Sequence, residues 1–222
     1  MPRTARAAQG NWCYHVLNRG NARAEVFHKP EDYDAFVALF EPACERLRMR
    51  ILAYCLMPNH FHLVLWPYGD GDLGRWMQWL MTSHVRRYHR HYGGSGHVWQ
   101  GRFKAFPIQE DEHLLGVLRY SERNPQRARL VRKAENWAWS SLRLRAKGAD
   151  ASLLTRSPVP LPSNWLQIVH EPQTEAEVEA IRASINRGTP YGSDRWQRRA
   201  ARQLGLESTL RPRGRPKKSL KK

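Results

Sequence analysis

Cysteine, acid and unbroken apolar stretches are what this chain has least of. Cys13, Cys44 and Cys55 are an odd, widely spaced set with no Cys-x-x-Cys pair, which argues against a disulfide frame or zinc knuckle and for buried thiols in a reducing cytoplasm. Asp and Glu number 20 against 37 Lys and Arg, a formal net charge of +17 over 222 residues. That excess goes beyond surface solubility and points to a polyanion, with nucleic acid ahead of an anionic membrane. No apolar run reaches the roughly 18 residues of a transmembrane helix. The opening Met1-Pro2-Arg3-Thr4-Ala5-Arg6 has no apolar core behind it, so a secretory leader is not expected. There is no internal repeat, no Walker-type phosphate loop and no G-x-G-x-x-G, so ATP-driven chemistry is not expected.

Against these absences stands Met57-Pro58-Asn59-His60-Phe61-His62-Leu63-Val64-Leu65. It reads as a tight turn at Pro58-Asn59 feeding a short apolar strand. Alternation puts His60, His62 and Val64 on one face and Phe61, Leu63 and Leu65 on the other. Two imidazoles on one strand face can address one ion such as Mn, Zn, Fe or Cu, and they tolerate a phosphate-bound Mg. The same spacing also describes an ordinary polar strand face.

The flanking segments supply a fold. Trp12 to Leu17 has the β-branched and aromatic content of a strand, ended by a turn at Asn18-Arg19-Gly20-Asn21. Pro30-Glu31-Asp32 opens a helix striped by Tyr33, Phe36, Val37, Phe40 and Leu47. Ile51 to Met57 is a second strand, forming an antiparallel hairpin with the His60 strand. After Gly69-Asp70-Gly71-Asp72 a second helix carries Leu73, Trp76, Met77, Leu80, Met81, Val85 and Tyr88, read as core, and its polar side ends in Arg86, Arg87, His89, Arg90 and His91. Gly93 to Gly96 breaks it, and His97 to Lys104 leads into a fourth strand ending near Ile108. The order β-α-β-β-α-β predicts an α+β, ferredoxin-like fold: a four-stranded antiparallel sheet with helices on one face and an open second face. Many nucleic-acid binders stack bases on such a face.

A third helix is expected from Asp111-Glu112 to Asn124-Pro125, packed down by Leu114, Leu115 and Leu118. Tyr120 and Asn124 are one helical turn apart and share a face. Tyr120 is either a core aromatic with its hydroxyl at the rim or a phenol aimed at the same ion as His60 and His62. Should this helix cover the open sheet face, all four groups can meet.

The segments Tyr14-His15-Val16-Leu17-Asn18-Arg19-Gly20, Met57 to His62, Val98-Trp99-Gln100-Gly101-Arg102-Phe103 and Arg119-Tyr120…Asn124-Pro125…Arg127-Ala128…Leu130-Val131 occur in this order. Together they resemble the single-tyrosine HUH transposases, and most of all the REP-associated tyrosine transposases of bacteria, over about residues 10 to 145. The resemblance implies His60 and His62 as metal ligands, Tyr120 as the nucleophile and Asn124 as a third, polar ligand of a divalent ion, Mg2+ or Mn2+. It further implies ATP-independent cleavage and rejoining of single-stranded DNA through a 5′-phosphotyrosine, at the foot of hairpins such as repetitive extragenic palindromes. A free phenol, with its pKa near 10, is a poor nucleophile at neutral pH, so the ion or a base must assist. Arg19, Arg86, Arg87, Arg102 and Lys104 are candidate DNA-backbone contacts. A non-catalytic nucleic-acid-binding module on the same fold is the competing expectation.

The catalytic domain is expected to span 1–147, followed by a linker or irregular segment over 148–173, a helical extension over 174–210 and a basic tail over 211–222. Asn136-Trp137-Ala138-Trp139-Ser140-Ser141 reads as packing against the domain edge. Thr174-Glu175-Ala176-Glu177 has capping-box spacing. Ser193 is expected to cap a further helix that Gly205 ends. These two helices read as a helical hairpin or as a helix-turn-helix. In the tail, Arg213-Gly214-Arg215-Pro216-Lys217-Lys218 resembles a minor-groove hook, or else a cationic tail attracting phosphates. The expected state is a monomer or homodimer in the bacterial cytoplasm, associated with the nucleoid and not with a membrane.

Overall fold

Strands β2 (Met49–Met57) and β3 (His60–Pro67) are joined by the two-residue turn at Pro58-Asn59, with Met57 paired to His60. Strand β1 (Cys13–Arg19) lies antiparallel between β3 and β4 (Lys104–Ile108), giving a four-stranded sheet in the order β2-β3-β1-β4. Helices α1 (Pro30–Val37) and α2 (Phe40–Arg46) form the first crossover and α3 (Asp72–Tyr92) the second. This is the β-α-β-β-α-β order and antiparallel sheet expected from the sequence. The structure is a computed structural model and describes residues 9–148 and 153–211.

The first crossover was expected as one helix and is two. Pro42 explains the break, since a helix running through Ala38 would need an N–H at position 42 to bond the Ala38 carbonyl. Proline has none, and its ring collides with the carbonyl four residues back. The chain therefore turns at Ala38-Leu39, and Pro42 sits in the first turn of α2, where no N–H is required.

Strand alternation divides the apolar side chains between two cores. Tyr14, Val16, Leu56, Phe61, Leu63 and Leu65 face α1 to α3. Cys13, Val64, Phe106 and Ile108 face the other way, onto Leu114, Val117 and Leu118 of α4 (Glu112–Glu122). The sheet face left open by the ferredoxin-like pattern is thus covered by the helix that carries Tyr120. All three cysteines are free, and burial pushes the Cys13 and Cys55 thiols up.

Helix α4 is held by a buried charge. Glu122 is fully buried and accepts hydrogen bonds from Ser141 Oγ at 2.6 Å, Arg145 Nε at 2.9 Å and Trp165 Nε1 at 2.7 Å. Ser141 and Arg145 belong to α6 (Ser141–Lys147), Trp165 to α7 (Trp165–His170). Removing one partner of such a pair costs about 3–5 kcal/mol, because the other charge is stranded in the interior. Helix α7 lies in the segment read as a linker or irregular excursion, and its Trp165 and Val169 join the α4 core. Trp137 and Trp139 stack about Tyr33 at the sheet's edge, and the Trp137 indole donates to the Leu56 carbonyl.

Beyond them, α8 (Glu175–Arg187) begins at the Thr174–Glu177 capping box and ends at Gly188 in the left-handed conformation. Helix α9 (Asp194–Leu204) ends at Gly205 in the same way and packs on α10 (Glu207–Leu210), whereas α8 packs on β4 and α4. Ser193 stands at the start of α9, but its hydroxyl donates to Gln109 Oε1 and does not cap the helix. Arg213, Arg215, Lys217 and Lys218 lie outside the described residues. Among the described residues no helix is long and apolar enough to cross a membrane.

Candidate active site

Strand register brings the histidines together. His60 pairs with Arg19 and His62 with Leu17, so both imidazoles face α4 together with His15, which pairs with Val64. The His60 and His62 rings lie 5.0 Å apart, and Tyr120 meets His62 edge-on at 5.7 Å. Asn124 opens α5 (Asn124–Arg127), past a break at Arg123 in the helix that the sequence carries on to Asn124-Pro125. His62, Tyr120 and Asn124 are 3%, 5% and 6% exposed, so a ligand reaching them gives up most of its water.

Hydrogen bonds engage one nitrogen of each ring. Asn59 Nδ2 donates to the Arg23 carbonyl, which fixes the amide and leaves Oδ1 to accept from His60 Nδ1 at 2.6 Å. The lone pair of His60 is then on Nε2. His62 Nδ1 lies 2.9 Å from His15 Nε2, while His62 Nε2 is buried with no partner. A buried nitrogen with no donor or acceptor is costly unless something else meets it. Burial lowers the pKa of His60 to about 4, helped by Arg19 and Arg127, and that of His15 to about 3. His62 is pushed well below the ordinary range by burial and then by its histidine neighbours. All three are neutral at physiological pH, the form that binds a metal. The orphaned His62 Nε2 and the Nε2 of His60 are imidazole donors of the kind that suit a divalent ion, and Asn124, buried at the start of α5, carries the side-chain oxygen that the sequence assigns as a third ligand.

Cations stand close to the same groups. The Arg127 guanidinium lies 4.0 Å over the Tyr120 ring, and its Nη1 is buried without a partner. Burial pulls the Arg127 pKa down, against the opposing pull of Tyr120. Arg182 of α8 is held 2.7 Å from Glu179 and lies beside the Tyr120 phenol; the Glu179 hydrogen bond is the main influence pushing its pKa up. Arg19, on β1, has its Nε buried and unpartnered. Lys104 shares this sheet face at the β4 edge, being paired with Leu17. Arg102 is exposed in the loop before β4. Arg86 and Arg87 lie on α3, across the sheet from His62, and Arg87 is engaged by Asp32 and the Glu31 carbonyl. The structure does not bring these two to the histidines.

His15, Asn59, Arg127 and Arg182 were not singled out by sequence reasoning. His15 and Asn59 carry a signal, since one alternates with Tyr14 and the other adjoins His60. Arg182 sits more than a hundred residues from the histidines and has no local signature. Among the described residues one acid–histidine grouping has metal-like donor spacing, Asp111, Glu112 and His113 within 4.8 Å of one another. It caps α4, Asp111 Oδ1 accepting from the His113 backbone and ring, and the eight residues from Glu112 to Tyr120 place it about 12 Å from the phenol.

Residues 8–124 match the model of the family described as IS200-like transposases. A Haemophilus influenzae protein named as a REP-associated tyrosine transposase is 28% identical over 122 residues, which is 50% of this chain and 69% of that one. A solved structure of a REP-associated tyrosine transposase bound to a REP hairpin has a TM-score of 0.54 at 20% identity, covering 67% of this chain and 87% of the other; this is a likeness of fold. A Deinococcus radiodurans transposase structure gives a TM-score of 0.39 at 18% identity, over 50% of this chain and 88% of its own. The family model spans more than half of the chain and takes in His60, His62 and Tyr120, so the chain belongs to the IS200-like transposase family.

Proposed function

We propose that the protein cuts and rejoins single-stranded DNA flanking a hairpin, with Tyr120 as nucleophile. The observation that carries this is a tyrosine ring 5.7 Å edge-on from the ring of His62, whose Nε2 is buried and unpartnered, with the Arg127 guanidinium 4.0 Å over it. Tyr120 Oη attacks phosphorus in line and loses its proton; the bond to the 3′ oxygen breaks, and that oxygen takes up a proton. The product is a 5′-phosphotyrosine and a 3′-hydroxyl, so another 3′-hydroxyl can reverse the step without ATP. His60, His62 and Asn124 would hold a divalent ion, Mg2+ or Mn2+, which when bound would supply Lewis-acid polarisation of the phosphate. REP-like hairpins are the expected substrates, because the relatives include a protein bound to one.

The experiment is a denaturing gel after incubation with end-labelled hairpin DNA carrying single-stranded flanks, with Mn2+ or EDTA. The reading expects a covalent protein–DNA band with Mn2+ and none with EDTA. Binding without any band would leave a non-catalytic DNA-binding module.

Arg127 is assigned to the non-bridging oxygens of the scissile phosphate, where charge builds up. Arg127→Ala is expected to slow cleavage by roughly 10²–10³-fold, as for loss of one preorganised donor. On a methylphosphonate at the scissile position, which has no charge to neutralise, the same substitution should matter little. Equal losses on the two substrates would reduce Arg127 to a packing role.

A further inference from the structure

Helix α9 presents arginines on one side only. Arg195, Arg198, Arg199 and Arg202 are exposed at helical spacing i, i+3, i+4 and i+7, while Ala200 and Ala201 are buried on the opposite side. They line a concavity of about 660 Å³ with Gln203. The acid of this helix is Asp194, whose contact with Arg198 is 4.0 Å between exposed groups, a pair worth little. Among the described residues no acid faces Arg195, Arg199 or Arg202.

We propose that this arginine face holds the sugar–phosphate backbone of a base-paired DNA stem, away from the site where the strand is cut. The inference rests on the DNA-cleaving reading and extends it to a second contact region. Arginine forks match phosphate oxygens in pairs. The face has no apolar side chain to enter a bilayer, because Trp196 is packed against Trp12. For the same reason it offers no aromatic platform on which unpaired bases stack. Position makes the ligand a duplex. Trp12 and Gln109, which hold α9, lie just outside the ends of β1 and β4 remote from His60. The seven residues from Trp12 to Arg19 span about 23 Å at strand rise. Paired DNA at about 3.4 Å per step covers that distance in roughly seven base pairs. A rigid stem therefore reaches α9 only above a length threshold.

The test uses the full chain and its variant Arg195→Gln/Arg198→Gln/Arg199→Gln/Arg202→Gln, with Arg199→Glu as a second, single change. Affinity is measured against salt for hairpins with 4 or 12 base pairs and identical single-stranded flanks. On the long stem the quadruple variant should bind more weakly, with a log–log salt slope shallower by about 3.6, from 0.9 for each of four phosphates. Arg199→Glu should lose affinity on the long stem in the same direction. On the short stem all three proteins should bind alike and form the same amount of covalent adduct. Parallel salt lines on the long stem would overturn the proposal and leave the face to another partner, such as an acidic protein. A loss of equal size on the short stem would overturn the duplex assignment. Absence of adduct from the unaltered protein would count against the cleavage reading alone, since the stem-length comparison is read from binding.

Discussion

Tyr120→Phe is expected to eliminate the covalent protein–DNA adduct and leave DNA binding intact. The substitution removes one oxygen from a ring whose contacts are His62 at 5.7 Å, His15 at 6.3 Å and the Arg127 guanidinium at 4.0 Å. These ring contacts survive in phenylalanine; what is lost is the contact of the phenol oxygen with Arg182, a half-exposed side chain that keeps Glu179, so the melting temperature should move little. No other tyrosine is placed to substitute. Tyr14 faces the opposite core and donates to the Gln9 carbonyl, and Tyr54 lies in that core with its pKa pushed up to about 12 by burial. Labelled DNA, Mn2+ and a denaturing gel give the result directly. A covalent band of comparable intensity from Tyr120→Phe would place the nucleophile elsewhere and overturn the mechanism.

His62→Ala should be as severe, whereas substituting His15 should be milder and recoverable. His62 supplies the buried, unpartnered Nε2, and deleting it leaves one imidazole and one neutral oxygen, too few protein donors to hold a catalytic ion. His15 touches no phosphate. It is a positioning residue whose Nε2 lies 2.9 Å from His62 Nδ1; where His62 Nδ1 donates in that bond, His62 Nε2 is left free for an ion. Outer partners of this kind are worth about 10–100-fold in metal affinity. His15→Phe, which retains a flat ring between His62 and Phe106, should therefore raise the Mn2+ concentration for half-maximal cleavage by about that factor and recover most of its rate at saturation. A loss that no Mn2+ concentration restores would mean that His15 is needed for the shape of the site and not for the ligand. Full cleavage by His62→Ala would return His60 and His62 to an ordinary polar strand face.

The sheet, its strand order and the facing of His60 and His62 were legible because they rest on local signals: a two-residue turn, period-two alternation and two amphipathic crossovers. The placing of Tyr120 beside His62 was legible because α4 fills the face that the sheet pattern leaves open, whereas Asn124 falls in a separate short helix after the break at Arg123. Arg127 lies within the stretch that carries the family resemblance, but its place over the Tyr120 ring depends on how α5 turns back after Pro125. His15 needs the β1–β3 register, which no short stretch of sequence encodes. The break at Ala38 was encoded, in Pro42, and was masked by an apolar stripe that runs on across it. Helix α7 was hidden by the prolines around it, its order coming from Trp165 reaching Glu122 across 43 residues.

Glu122 stands two residues from Tyr120 and is tied at once to α6 and α7. Such an anchor turns the nucleophile into a post instead of an arm. A helix that carried Tyr120 to another chain's histidines would have to drag an unpaired carboxylate out of the interior, along with the partners that hold it. On the proposed mechanism, a phosphotyrosine formed at Tyr120 would stay beside the histidines of its own chain. The exchange of one strand for another would then fall to the DNA, whose 3′ ends would trade places over a stationary tyrosine.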